Sequence, residues 1–128
     1  MASTTLSKDA RVPGSVYKEA DVDSSANLDI YGGGGKLLAV VANNSANGAA
    51  SFFKMYETNA VNNTGITAPW LALKLPASAS VTMVIAVDGG LAFSPELAMR
   101  CTTAQMVSSG NDGSAPGSNV PVTVYMRS

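Results

Sequence analysis

The 128 residues predict an all-β fold, an antiparallel β-sandwich of seven to eight strands that is jelly-roll-like or immunoglobulin-like. Three observations predict it. Apolar residues recur at every second position in short runs, the period of a half-buried strand. Stretches rich in Gly, Asn, Ser and Pro separate the runs at turn-like intervals. No stretch repeats an apolar residue at three and four positions over two helical turns. The length suits one domain. A composition 46 % hydrophobic and 13 % charged favours a packed core over a disordered chain.

Residues 1–27 read as an extended N-terminal arm outside the core. They lack sustained apolar periodicity and carry Pro13-Gly14. With Asp29 just beyond them they hold eight charged residues, among a total of 8 Lys and Arg and 9 Asp and Glu. The arm's larger apolar residues, Val12, Val16, Tyr17 and Val22, are expected to dock it onto a neighbour. Leu28-Asp29-Ile30-Tyr31 opens the sandwich, residues 28–128, and leads into glycines 32–35, read as a flexible joint. Removing residues 1–27 is therefore expected to leave the sandwich folded.

The strands follow in order. Residues 36–42 form one, with Leu38 and Val40 on one face, and 43–48 are a turn by composition. In 50–57, Phe53 and Met55 alternate against Phe52, Lys54 and Tyr56. A polar loop, 59–69, precedes Leu71, Leu73 and Leu75, a strand stopped by Pro76. Val81, Met83 and Ile85 form a core stripe against Ser80, Thr82 and Val84. Asp88-Gly89-Gly90 turns the chain into 91–93, and Ser94-Pro95-Glu96-Leu97 fits one turn of helix. Leu97, Met99 and Cys101 alternate with Ala98, Arg100 and Thr102. Residues 107–119 read as a long surface loop, and Val122, Val124 and Met126 close the chain as the last strand.

Chemistry finds little footing. Without histidine, Ser-His-Asp and Cys-His nucleophile systems are excluded. Lys54 and Lys74 read as solvated or interface lysines. Glu57, Asp88 and Glu96 each sit beside a turn, too scattered for a paired-carboxylate mechanism. Asp21-Val22-Asp23 lacks the glycine and terminal glutamate of an EF-hand. Glycines 32–35 with Lys36 lack the spacing and the hydroxyl of a phosphate loop. The single cysteine, Cys101, rules out an internal disulfide and reads as a small buried hydrophobe. No catalytic residue, metal or cofactor is therefore assigned.

The net charge of −1 without a basic cluster gives nucleic acid no purchase. No apolar run is long enough to cross a bilayer, and the N-terminus lacks the apolar core of a signal peptide. Synthesis and folding in the cytoplasm are expected. A surface of neutral small residues suits lying against other proteins. Large side chains on both faces of 52–56 point to a second covered surface, so Phe52 and Tyr56 join the arm residues as candidate interface. Trp70, at the start of a strand, is a further interface anchor.

Several segments in sequence carry a resemblance: Ser51-Phe52-Phe53-Lys54-Met55-Tyr56-Glu57, then 69–76 with Trp70, Leu71, Leu73 and Leu75 between two prolines, then Gly90-Leu91-Ala92-Phe93-Ser94 and Cys101-Thr102-Thr103. Their order and spacing resemble a group of small tailed-bacteriophage virion structural proteins, over roughly residues 38–107. The resemblance implies a β-sandwich virion component without enzymatic activity. It suggests a capsid decoration (cement) protein on the capsid exterior, binding the major capsid protein as a homo-oligomer, with a trimer favoured over a dimer. A tail, baseplate or neck component, bridging virion proteins or contacting a host surface, is the alternative. Ser94-Pro95-Glu96-Leu97 departs from the group's usual turn, and the arm lies outside the match.

Overall fold

The computed structural model describes residues 14–61, 68–105 and 113–128. Among these the chain forms eight strands and no helix: β1 (Gly14–Glu19), β2 (Gly35–Asn43), β3 (Ser51–Tyr56), β4 (Leu71–Leu75), β5 (Ser80–Val84), β6 (Leu91–Phe93), β7 (Ala98–Thr102) and β8 (Val122–Arg127). All pairs are antiparallel. The larger sheet runs β1-β8-β2-β5, with β6 continuing the β5 edge of β2, and the smaller runs β4-β3-β7.

The wiring is nested. β1 pairs with β8, β2 with β5 and β6, and β3 with β4. Between β1 and β2, residues 22–30 run beside β7 without forming a regular strand. Cys101 N donates to Asp23 O, Met99 N and Asn27 N bond each other's carbonyls, and Ile30 N donates to Leu97 O. Counting that segment as the second pass, and β5 with β6 on the same edge of β2 as the sixth, passes one and eight, two and seven, three and six, and four and five are partners. That is a long hairpin wrapped into two sheets, which is jelly-roll rather than immunoglobulin wiring.

One core lies between the sheets. The larger sheet contributes Leu37, Val40, Ala42, Val122, Val124, Met126 and Phe93. The smaller contributes Phe53, Met55, Leu75, Met99 and Cys101, and Val22 and Ile30 come from the irregular pass. Alternation along each strand supplies these side chains, as the period-two pattern requires. Val81, Met83 and Ile85 pack against this core but are only partly buried, because β5 is an edge strand.

Several expectations are corrected. The stretch read as an arm outside the core contains edge strand β1, and Val22 within it is fully buried, its N–H bonded to Val120 O. Its apolar residues are spaced too irregularly for a period count, but β8 offers a backbone edge that pairs with any extended segment. Residues 1–13 lie outside the described residues. Residues 28–31 form no strand, so β1 takes the place of that expected element.

Of the glycines read as a joint, Gly32 and Gly33 have open space around them, but the last is built into the sheet. Gly35 begins β2, and a Cβ there would lie 2.7 Å from Arg127 O and 2.8 Å from the Tyr31 ring. In β2 a register shift between Leu37 and Ala39 acts as a bulge. It puts Leu37 rather than Leu38 in the core with Val40, because the extra residue inverts the alternation. Residues 94–97 form no helical turn.

Candidate interaction surface

The outer face of the smaller sheet is built from Phe52, Lys54 and Tyr56 on β3, opposite Thr102, Arg100 and Ala98 on β7. Lys54, Tyr56, Ala98, Arg100 and Thr102 are all fully buried within the chain. Lys54 Nζ donates to Thr102 Oγ1 and to Ala104 O, each at 3.0 Å. Arg100 Nε donates to the Tyr56 hydroxyl at 3.0 Å, and its guanidinium lies 5.5 Å from the Tyr56 ring centre. Lys54 is thus an internal cation, not a solvated or interface lysine, and its hydrogen bonds offset the loss of water. Lys74 is exposed.

The candidate interface residues consequently scatter. Val22 and Tyr56 are buried by the chain itself and offer nothing to a partner in this conformation. Tyr17 faces inward, opposite Val124, and its hydroxyl lies 3.4 Å from Asn27 Nδ2, which donates to it. Phe52 is half-buried, and Trp70, also half-buried, meets Phe93 edge-on at 6.4 Å. Val12 lies outside the described residues. Val16 alone is both exposed, at 41 %, and on an outer sheet face.

Among the described residues, that outer face of the larger sheet is the one left open to solvent. The registers put Val16 opposite Tyr125, Tyr125 opposite Ala39, and Ala39 opposite Val84. These four side chains form one apolar row across β1, β8, β2 and β5. Val84 is 70 % exposed at its end. The next row, Lys18, Thr123, Val41 and Thr82, is mostly uncharged. A solvated sheet face ordinarily carries polar residues outward, and the row from Val16 to Val84 departs from that while the rows beside it are largely Thr, Ser, Lys and Arg. Tyr125, Ala39 and Val84 were missed as candidates, although Val84 interrupts an otherwise Ser-Thr outward series just as Phe52 and Tyr56 break the alternation of β3.

The loop ends are fixed by side-chain hydrogen bonds. Asn44 is fully buried and donates from Nδ2 to the carbonyls of Ala49, Leu75 and Pro76 at 3.0–3.2 Å. Asn47 donates to Asn44 Oδ1 and Ser118 O, and its Oδ1 accepts from Ser118 N at 2.7 Å. Beside this pair lies a cleft of about 290 Å³ between Gly48, Ala50, Thr103, Pro116 and Gly117, with no ionisable group in its lining. Glu57 accepts from Ser94 N at 2.7 Å and Glu96 from Asn59 N at 3.1 Å, so both carboxylates serve loop closure.

Cys101 is buried, and that burial pushes its thiol up to about 12. The nearby Lys54 ammonium and a backbone hydrogen bond at Phe52 pull weakly the other way. Among the described residues no three His, Cys, Asp or Glu side chains group to hold a metal ion, and no helix is long and apolar enough to cross a membrane.

No protein-family model matches the chain, and no curated protein matches it in sequence. Among solved structures it is similar to the coat protein of Tobacco streak virus, with a TM-score of 0.43 and 6 % identity over 90 % of this chain and 86 % of that one.

Proposed function

We propose that this chain is a non-enzymatic virion structural protein, a capsid decoration protein that binds and stabilises the major capsid shell of a tailed bacteriophage from outside. The observation that carries the reading is the apolar row from Val16 to Val84 on the uncovered sheet face. This apolar strip, exposed at both ends at Val16 and Val84 and half-buried at Tyr125 and Ala39 between them, offers a protein-binding surface. The resemblance of segments such as 51–57 and 69–76 to small phage structural proteins supports the same reading, as does the engagement of Glu57, Glu96 and Lys54 in purely structural hydrogen bonds. Sheet-on-shell binding uses the rigidity of a jelly roll and needs no chemistry.

The test is co-sedimentation of the full chain with phage heads stripped of accessory proteins and, separately, with tails. Binding to heads, with a rise in the temperature at which they rupture, is the expected result. Association with tails alone would replace decoration by the tail, baseplate or neck role. Association with neither would remove the virion reading.

A further inference from the structure

The uncovered face is one-sided in charge as well as apolar. Lys18 lies two residues along β1 from Val16, on one side of the apolar row. On the other side, two residues along β8 from Tyr125, Arg127 stands directly opposite Lys36 of β2. At 3.3–3.4 Å per residue, cations therefore border the row at about 7 Å on both sides. Glu19 is the only Asp or Glu in any strand of this sheet. It points to the other face, opposite Val122, where its carboxylate accepts from Asn27 Nδ2 at 3.1 Å. A chain of net charge −1 thus presents a strand surface whose only charges are positive. Like charges directly opposite each other on a sheet repel, and Arg127 Nε already donates to Ser128 O at 3.3 Å. An anionic group laid over Lys36 and Arg127 would further offset the repulsion between them.

Resting on the assembly reading above, we propose that this face docks an acidic protein surface: an apolar strip bordered on both sides by carboxylates. A second copy of this chain fits poorly, because face-to-face pairing about a two-fold axis sets the same cationic patch against itself. Nucleic acid fits poorly as well. Three cations neutralise few phosphates, and the apolar row has no counterpart on a phosphate backbone.

The probe is an immobilised random copolymer of glutamate and tyrosine, with a lysine–tyrosine copolymer and a short duplex DNA as comparisons. The wild type should be retained on the glutamate copolymer and not on the lysine one, and retention should fall with salt. The triple variant Lys18→Glu, Lys36→Glu, Arg127→Glu should weaken retention at least tenfold. Its milder Gln counterpart and Val84→Ser should each weaken it several-fold, with unchanged circular dichroism and melting. Equal retention of wild type and variants would overturn the proposal. So would tighter binding of DNA, or a wild-type dimer that the same substitutions dissociate. The stripped heads separate the two levels of the argument. If wild type and the Glu triple variant attach to heads equally well, this face is not the docking surface and the virion reading stands. If neither attaches while copolymer binding still maps to these residues, the docking chemistry stands and the virion reading falls.

Discussion

Cys101 sits in the middle of β7 with no solvent contact, pinned through its N–H to Asp23 O and facing Phe53 across the strand pair. Its thiol is neutral in the fold because a thiolate there would lose its water, and its pKa rises from the ordinary 9.0 to about 12. In the unfolded chain the same thiol ionises at its ordinary value. Above pH 9 the unfolded state therefore sheds a proton that the folded state keeps, and stability falls as pH rises, until the folded thiol also ionises near 12. The expected loss is on the order of 1 kcal/mol by pH 10. Cys101→Val should abolish this part of the alkaline slope in a series of denaturant titrations. Thiol labelling of the native protein should be slow at neutral pH and become fast on unfolding. An unchanged slope in the variant, or rapid native labelling, would show that the thiol meets water.

At the scale of elements, β1 is the strand on which the architecture turns. It supplies the eighth regular strand, covers one edge of β8, and leads through buried Val22 into the segment that closes the β7 edge. Deleting residues 1–27 should accordingly cost the cooperative melt expected of the full chain. A truncated protein that melts within a few degrees of the parent would instead restore the view of this stretch as a dispensable arm. Most of the remaining architecture was legible: seven of the eight strands follow from period-two apolar runs such as Leu71, Leu73, Leu75 and Val122, Val124, Met126. β1 was not, because Gly14–Glu19 carries one residue of each kind and only its pairing with β8 gives it a strand's environment. The burial of Lys54 and Arg100 was equally hidden, since alternation predicts which face a side chain takes but not whether that face is roofed. The candidate surface was half legible. Val16 was named for its apolarity, while Tyr125 and Val84 join it only through registers that link distant parts of the chain.

Across the whole molecule, the nested wiring determines how the fold is held and how fast it can form. Gly14 pairs with Arg127 and Lys36 with the same Arg127, so the outermost sheet contacts join the two ends of the described chain. Each such pairing must meet the entropy of closing a long loop before its contacts contribute, which places the protein among slow, topologically complex folders. Refolding from denaturant should take milliseconds to seconds, with a strand-dominated circular dichroism spectrum and one cooperative transition. Within the folded state protection should follow position in the sheets. β8, flanked by β1 and β2, and β2, flanked by β8 and by β5 and β6, have neighbours on both sides. β4 has β3 on one side only, and β6 is three residues long. Amide hydrogen exchange should therefore be slowest at Val40 and Val124 and orders of magnitude faster along β4 and β6. The outer row containing Val84 lies on the same rigid strands, so a partner would meet a surface already in its binding shape and would lose little to ordering it. Equal exchange across all strands, or folding in microseconds, would mean that the ends of the described chain are not joined in this way, and the outer face that depends on their pairing would go with them.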